Sequence, residues 1–269
     1  LISYLGRLNY SYSNKYLATV SFLSDVAALY SNGNKWGYFP SAALAWKISN
    51  ENFFRGIRFV SDLKLRAGWG YTGSQAIGAY TTLSQLSPGH NVFNNMLYVS
   101  YSPSTSLPGD LKWETTEQKD IGIDLGILKN RVFITADYYL KNTRDLLNNV
   151  QLPPSFGWTS TVRNIGEVQN KGFEFGADAK ILTGELKWNA IANISFNRNK
   201  VVKLAGGEDI LGGTLRQAII IDNSNILREG QPIGRFWGYV EDGYDETGHI
   251  KFKDLDKDVA ITPNDRTYI

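Results

Sequence analysis

The 269-residue chain contains no cysteine and only two histidines, which removes several kinds of chemistry at once. Without a thiol there can be no disulfide framework, no thiolate zinc site and no cysteine nucleophile. His90 and His249 lie far apart in the sequence, and neither belongs to a recognisable nucleophile motif. A Ser-His-Asp arrangement finds no support, and we expect no catalytic activity.

Strong charge of one sign and long apolar runs are missing as well. The 28 Lys and Arg residues almost balance the 26 Asp and Glu residues, and the net charge of +2 argues against binding to nucleic acid. No run approaches the roughly 18 apolar residues that a membrane-spanning helix needs. A spanning β-strand needs only about 9–11 residues of alternating character, so a membrane β-barrel is not excluded.

The strongest pattern that is present is strict alternation of apolar and polar residues. In the segment 173–181, Phe, Ala and Ile at the odd positions alternate with Glu, Gly, Asp and Lys at the even ones. This period of two is typical of a strand with one apolar face, whereas a helix would need apolar residues three and four apart. We predict eight such strands, at 2–12, 16–26, 36–48, 63–71, 120–127, 131–143, 173–181 and 188–196.

The connections between these strands distinguish two environments for the apolar face. In a soluble sandwich that face packs against a second sheet, whereas in a membrane barrel it meets lipid and the polar face lines the lumen. Short turns on one side and long loops on the other are typical of outer-membrane barrels. The chain follows this alternation: tight links at 13–15, 128–131 and 182–185 alternate with longer links at 27–35, 72–112, 144–171 and after 200, with 49–58 intermediate.

We therefore predict an all-β fold, an antiparallel transmembrane β-barrel segment of about eight strands over residues 1–199, followed by a long extracellular loop region over 200–269. Two alternatives stay open: a soluble β-sandwich or propeller module that binds carbohydrate, and a self-contained eight-stranded outer-membrane barrel, since eight strands can close. Aromatic residues at strand ends are expected to form interfacial girdles. They are Tyr10, Tyr12, Tyr16, Trp36, Tyr38, Trp113 and Trp188.

Four blocks, in consistent order along the chain, carry a resemblance to a known family. They are residues 36–48 (WGYFPSAALAWKI), 63–75 (LKLRAGWGYTGSQ), 163–175 (RNIGEVQNKGFEF) and 229–239 (EGQPIGRFWGY). Each resembles a segment of the SusC/RagA-type TonB-dependent outer-membrane transporters, and the similarity covers essentially the whole chain.

The resemblance implies an outer-membrane location in a Gram-negative bacterium and a barrel of about 22 strands around an N-terminal plug. It also implies uptake of oligosaccharides or, less often, peptides, with a SusD-like surface lipoprotein as a lid and with TonB, reached through the N-terminal region, as the source of energy. Residues 1–269 include neither a plug domain nor a TonB box, so we expect the chain to be part of a longer polypeptide embedded in membrane lipid.

A candidate calcium site lies near the end of the chain. Acidic residues stand at positions 1, 3, 5 and 12 of the segment 254–265, the spacing of an EF-hand loop, and a backbone carbonyl at position 7 completes the set. The candidate ligands are Asp254, Asp256, Asp258, Ala260 and Asp265. Val259 replaces the usual glycine, and related transporters often keep that glycine. The alternative is a solvated acidic loop beside Lys251, Lys253 and Lys257.

The remaining motifs favour structural roles. Residues 68–73 match the dinucleotide pattern G-x-G-x-x-G, but they lie on a predicted strand with no following helix, so we expect the glycines to permit close packing. Aromatic residues on predicted outer loops, in the segment 153–158 and at Phe236, Trp237, Tyr239 and Tyr244, could stack on sugars or pack against neighbouring loops. Lumen-facing charges are expected to pair across strands or with the plug: Lys64, Arg66, Asp120, Asp124, Glu174, Asp178 and Lys180.

Overall fold

The computed structural model describes most of the chain and consists almost entirely of strands. The described residues are 2–30, 33–54, 56–75, 77–78, 82–83, 86–103, 106–107, 109–153, 155, 157–158, 160–217 and 220–269. Helical structure in these ranges is limited to short 3₁₀ turns, among them Ile48–Asn50, Asn52–Phe54, Ala205–Gly207 and Pro263–Asp265. No helix in this part of the chain is long and apolar enough to cross a membrane.

The strands are numbered in chain order. They are β1 (Ile2–Tyr12), β2 (Tyr16–Val26), β3 (Trp36–Lys47), β4 (Val60–Ser74), β5 (Leu86–Phe93), β6 (Met96–Pro103), β7 (Ser106–Leu107), β8 (Glu114–Ile127), β9 (Val132–Arg144), β10 (Leu147–Gln151), β11 (Ser160–Asn164), β12 (Glu167–Thr183), β13 (Lys187–Lys203), β14 (Ile210–Gln217), β15 (Ile220–Leu227), β16 (Arg235–Tyr239), β17 (Glu241–Tyr244), β18 (Ile250–Phe252) and β19 (Arg266–Tyr268).

Eight long strands form one sheet in the order β1-β2-β3-β4-β8-β9-β12-β13. They coincide with the eight strands predicted from alternation, and the pairs β1–β2, β2–β3, β3–β4, β4–β8, β8–β9 and β9–β12 are antiparallel. Several strands run further outward than the alternation indicates: β8 begins at Glu114 and β12 at Glu167. Polar residues dominate these extensions, as expected where a strand leaves the apolar zone and both faces meet water.

The apolar stripe of this sheet faces outward and is not covered by a second sheet within the described residues. Val20 is 57% exposed, Ile121 is 61% exposed and Phe196 is 60% exposed. Such a continuous exposed apolar surface is incompatible with a water-soluble sandwich, in which these side chains would form the dry core. The antiparallel membrane-barrel segment is confirmed, and the β-sandwich alternative is wrong.

The sheet is an open arc of a barrel wall. Strands β1 and β13 stand at its two ends, and among the described residues they do not pair with each other. The eight strands therefore do not close into the small self-contained barrel considered as the second alternative. Further strands are needed to satisfy the free backbone groups along both edges, since unpaired groups in lipid are costly.

Aromatic side chains mark two levels on the outer face. At the level of the short turns, Tyr16 stacks on Trp46 with ring centroids 6.3 Å apart. At the other level, Trp36 stacks on Tyr38 at 6.3 Å and on Tyr4 at 6.4 Å. Eight to ten residues of strand separate the two levels, which is about 26–33 Å along the strand. With the usual barrel tilt, this matches an apolar band about 25 Å tall.

Trp113 does not belong to either girdle, so that prediction is wrong. It is 7% exposed and lies in a buried cluster with Ala27, Tyr30, Phe39 and Leu111, where its ring meets Phe39 edge-on at 5.5 Å. The link before β8 brings Trp113 onto the inner side of the wall, and its Nε1–H donates to the carbonyl of Lys35. The cluster fastens the outer links 27–35 and 109–113 to the end of β3.

Residues 199–269 form a second compact unit. Within the predicted loop region, the unit contains a four-stranded sheet in the order β14-β15-β16-β19 and a separate hairpin of β17 and β18. These strands are three to eight residues long. The two longest, β14 and β15, do not alternate apolar and polar residues, and the others carry too few positions to show a period.

We predict that a charge on the outer face of β13 destabilises the barrel, whereas a charge one residue away does not. Ile194→Arg puts a guanidinium into hydrocarbon and is expected to cost about 2–4 kcal/mol in the full-length protein if it lies near the bilayer midplane. Asn193→Arg, on the polar face, is the matched control. Urea unfolding in lipid vesicles, followed by heat-modifiable gel mobility, measures both. Equal losses for the two variants would contradict the assignment of the faces.

Candidate functional site

The inner face of the wall carries a network of four charged side chains. Arg66 on β4 forms a bidentate contact with Asp124 on β8, with Nη2 2.8 Å from Oδ1, and a second ion pair with Asp137 on β9 at 2.9 Å. Lys64 adds a third contact to Asp124 at 3.2 Å. Asp124 is only 9% exposed. The predicted cross-strand pairing is therefore present for Lys64, Arg66 and Asp124, while Asp120, Glu174, Asp178 and Lys180 lie outside this network.

Gly122 makes possible the contact between Arg66 and Asp137, whose strands are not neighbours in the sheet. In the sheet register Gly122 stands directly between Arg66 on β4 and Asp137 on β9. A methyl group at Gly122 would collide with the carboxylate of Asp137 and come within 2.9 Å of Arg66 Nη2. The missing side chain leaves room for the guanidinium to reach across an entire strand. The sequence indicated an alternating Gly and Asp face on β8, but it could not reveal this bridging role.

The glycines of residues 68–73 serve the same purpose of close approach. A Cβ at Gly68 would lie 2.6 Å from the carboxylate of Asp120, and one at Gly70 would lie 2.6 Å from the Cβ of Ser41. The segment continues as strand β4 to Ser74 without a helix. The residues therefore lack the helix N-terminus that a dinucleotide site requires, and they act as packing positions.

An open groove of about 730 Å³ lies on the inner face of β1, β2, β3, β4 and β8. Its lining mixes small residues, such as Ser21, Ser41, Gly68 and Gly70, with apolar and aromatic side chains, and it includes three charged residues. They are Arg7, Asp25 and Asp120. Its position on the lumen side puts the groove in the interior of a complete barrel, where its hydrogen-bonding and charged groups can meet a polar chain segment.

A second ionic cluster secures the turn side of the wall. Glu51, in the link between β3 and β4, accepts hydrogen bonds from Lys15 Nζ at 2.8 Å, from the Tyr16 hydroxyl at 2.8 Å and from Trp46 Nε1 at 3.2 Å. These three donors, Lys15 first, lower the pKa of Glu51 to about 2. The carboxylate stays ionised at physiological pH, and it ties the first hairpin to the girdle residues Tyr16 and Trp46.

The acidic loop brings together three of the candidate calcium ligands. Carboxylate oxygens of Asp254, Asp256 and Asp265 all lie within 4.8 Å of one another. This spacing fits one cation, because oxygens on opposite sides of Ca²⁺ at about 2.4 Å would be about 4.8 Å apart. Asp258 lies outside the group and accepts a hydrogen bond from the backbone N–H of Ala260 at 2.8 Å.

Backbone hydrogen bonds hold the acidic loop in a curled shape. Asp254 accepts from the N–H groups of Lys257 and Val259, and the fully buried Asp265 accepts from Leu255 at 2.6 Å and from Thr262 at 2.8 Å. Val259 has a φ of +73°, so the β-branched residue adopts the left-handed conformation that glycine supplies in an EF-hand loop. The turn is therefore present without glycine, at a cost in backbone strain at Val259.

Desolvation and neighbouring negative charges both disfavour the ionised form of Asp256. Desolvation, followed by the negative charges of Asp258, Asp265 and Asp254, raises the pKa of Asp256. The hydrogen bond from the Thr262 N–H and those from the other backbone donors lower the pKa of Asp265. The hydrogen-bond donors thus favour the ionised form of Asp265, while a bound cation would offset the negative charges around Asp256.

Arginine and aromatic side chains alternate in the second unit. Arg235 lies over the Tyr268 ring at 4.1 Å, Arg266 over Tyr239 at 4.9 Å, and Trp237 meets Tyr268 edge-on at 5.4 Å. Trp237 and Tyr239 thus pack against neighbouring side chains of the same unit. Of the outer aromatics named from the sequence, Phe236 at 62% and Tyr244 at 67% are the more exposed. In the segment 153–158, Pro154 and Phe156 lie outside the described residues.

An antiparallel wall with an apolar outer face, two aromatic levels and a charged inner face defines a segment of an outer-membrane β-barrel. Comparison with known proteins identifies which kind. Residues 5–234 match the family model described as "TonB dependent receptor-like, beta-barrel". The chain belongs to the TonB-dependent receptor family, whose members of the SusC and RagA type are outer-membrane proteins.

The relatives are similar along most or all of the chain. TonB-dependent receptor P3 of Formosa agariphila is 34% identical over 286 residues, covering 100% of this chain and 29% of P3. TonB-dependent receptor SusC of Bacteroides thetaiotaomicron is 41% identical over 215 residues, covering 78% of this chain and 21% of SusC. The solved structure of the RagAB peptide transporter has the same fold, with a TM-score of 0.84 over 99% of this chain and 23% identity. The chain spans under a third of the length of each.

We predict that Gly122→Ala disrupts the inner network. The added methyl group separates Arg66 from Asp137, and overpacking of this kind costs about 1–3 kcal/mol. Gly6→Ala is the control, since a Cβ at Gly6 meets nothing within 4 Å. Thermal unfolding of the full-length protein in detergent compares the two. A Gly122→Ala protein as stable as the Gly6→Ala protein would mean that Gly122 has no bridging role.

Proposed function

We propose that the chain forms part of the barrel of an outer-membrane importer that takes up nutrients by a TonB-dependent mechanism. The observation that carries this proposal is the sidedness of the wall, apolar toward lipid and charged toward the lumen. The family membership supports the same activity. In this proposal a plug domain occupies the lumen, and TonB acts on the importer through the N-terminal region.

A SusD-like surface lipoprotein is the proposed partner. The importer similar in fold is named as a pair, RagAB, and is described in 'closed-closed' and 'open-open' states. A lid that opens and closes over the barrel fits a two-component importer. We propose that outer loops of this chain contact such a lid. The role proposed for the chain itself is transport without catalysis.

Oligosaccharides or peptides are the proposed cargo. The inner groove between β1 and β8 offers hydrogen-bonding side chains of both charges, which suits a polar chain of either class. The name RagAB belongs to a peptide transporter, and SusC is named only as a receptor. Exposed Phe236 and Tyr244 add flat apolar surfaces that suit sugar rings.

Uptake in a deletion strain tests the proposed function. We expect deletion of the full-length gene to abolish import of one of two fluorescently labelled substrates, an oligosaccharide or a peptide. Complementation should restore that import only in a strain with functional TonB. Uptake by the complemented strain without TonB would contradict active import. Equal uptake of both classes by the deletion strain and its parent would contradict the nutrient-import role itself.

We also propose that the loop 254–265 binds Ca²⁺ in a structural role. Asp254, Asp256 and Asp265 supply carboxylates, Ala260 supplies a carbonyl, and Asp258 would need to rotate inward to join them. The convergent spacing, the left-handed Val259 and the repulsion at Asp256 support this assignment. Bound calcium would neutralise the cluster and stiffen the loop.

We predict that Asp254→Asn weakens Ca²⁺ binding by about ten-fold or more, because it removes one negative ligand. Isothermal titration of the chelator-treated, full-length protein is expected to give a Kd of about 10⁻⁴–10⁻³ M, the range of extracellular modules. Asp242→Asn, an exposed acidic residue outside the group, is the control and should bind as wild type does.

The affinity should also fall as the pH is lowered. Protons compete with the cation for Asp256 at a higher pH than for an ordinary aspartate, since the pKa of Asp256 is raised. A titration without detectable heat of Ca²⁺ binding would contradict the calcium assignment. So would an equal loss of Ca²⁺ affinity in the Asp242→Asn protein.

A further inference from the structure

Strands β5 and β6 form an isolated hairpin in the link between β4 and β8. They pair with each other from Leu86–Pro103 to Phe93–Met96 and with no other strand in the described part of the chain. Asn94 and Asn95 make the turn, with φ values of +48° and +58°. Both ends of the link belong to the long-loop side of the wall, so the hairpin lies on the extracellular side.

The hairpin has one apolar face. Residues directly opposite each other in an antiparallel pair point to the same side. The register therefore collects Leu86, Pro88, His90, Val92, Leu97, Val99 and Tyr101 on one side, which we call the apolar face of the hairpin. The opposite face carries Ser87, Gly89, Asn91, Ser100 and Ser102, with Phe93, Met96 and Tyr98 near the tip.

The apolar face is exposed along its length. Val92 is 69% exposed, Leu97 is 66% exposed and Tyr101 is 68% exposed. A two-stranded sheet is marginally stable in water and needs a covering layer on its apolar side. An exposed contiguous apolar patch marks a surface for interaction. This hairpin therefore needs a covering surface, which either another outer loop of the longer polypeptide or a partner protein would supply.

The absence of charge indicates what kind of surface covers it. Residues 67–109, which include the whole hairpin, contain no Asp, Glu, Lys or Arg. A loop that rests on the anionic membrane surface would use Lys or Arg, and a hairpin inserted in hydrocarbon would leave its two backbone edges unpaired. Depletion of charge is instead typical of the core of a stable protein–protein interface.

The size of the face favours a larger heterologous interface. Eight residues at about 3.3 Å, on two strands about 10 Å wide in total, give roughly 260 Å². A stable interface buries about 800 Å² per partner, so two copies that met through this face alone would fall well short. The hairpin is the right size for one arm within a broader contact.

We propose that the apolar face of the hairpin is a docking arm for the surface lipoprotein that forms the lid. This inference rests on the proposed function and adds to it the residues that hold the lid. A contact without Asp, Glu, Lys or Arg depends little on ionic strength, which suits a contact that persists while other loops release the lid.

Site-specific photo-crosslinking in the full-length, membrane-embedded transporter tests the arm. p-Benzoylphenylalanine at Val99 or Tyr101 should crosslink to the lipoprotein that co-purifies with the wild type. The same group at Ser100 or Ser102, on the opposite face of the same strand, should give yields about ten-fold lower. A second readout compares two double variants, Leu97→Asp/Val99→Asp on the apolar face and Ser100→Asp/Ser102→Asp on the opposite face, for the amount of lipoprotein that co-purifies. Heat-modifiable gel mobility checks that both variants are folded.

The expected result is a period of two in crosslinking and loss of the lipoprotein only from the Leu97→Asp/Val99→Asp protein. Equal yields from both faces, crosslinks to another outer loop of the same transporter, or adducts between two transporters would overturn the docking arm while the lipoprotein partner stands. A wild-type transporter that co-purifies with no lipoprotein would instead overturn the proposed partner, and the arm with it.

Discussion

Contact with hydrocarbon on one face of the sheet is the constraint on which the rest of the structure depends. Lipid offers no hydrogen bonds, so each backbone group must be paired within the wall, and long antiparallel strands achieve this pairing. The same contact reverses the usual arrangement of side chains. Apolar residues such as Val20 and Ile121 are exposed, whereas Ser21 and Asp124 on the inner face are among the most buried residues. Burial inside this wall therefore selects polar groups that can satisfy one another.

The inner face is shaped by the absence of side chains as much as by their presence. Gly122 leaves the space through which Arg66 reaches Asp137, and Gly68 leaves the space that the carboxylate of Asp120 occupies. These positions keep ion pairs flat against the wall and leave a groove above them. In a complete barrel, such a surface allows a plug or a polar ligand to lie close to the backbone. The networks at Arg66 and at Glu51 stabilise the inner face and the turn side of the wall.

Much of the wall could be predicted from sequence because a period of two leaves a strong signal over nine or more residues. All eight long strands and the side of each apolar stripe follow from it. Features that depend on tertiary contacts were less accessible. Trp113 looks like a girdle residue, but its link folds inward onto Phe39. The strands of 199–269 either do not alternate apolar and polar residues or are too short to show a period. The loop 254–265 has a ligand spacing that sequence reveals, yet the left-handed conformation of Val259, whose N–H donates to the carboxylate of Asp254, is seen only in the structure.

Spin labelling along β12 tests the sidedness of the wall most directly. Residues 1–269 contain no cysteine, so single cysteines at successive positions from 173 to 181 each carry one nitroxide in the full-length protein once any cysteine outside these residues is replaced by serine. Accessibility to molecular oxygen should peak at 173, 175, 177, 179 and 181, and accessibility to a water-soluble nickel complex should peak at the even positions between them. Two profiles with the same phase, or without a period of two, would contradict an apolar face in lipid.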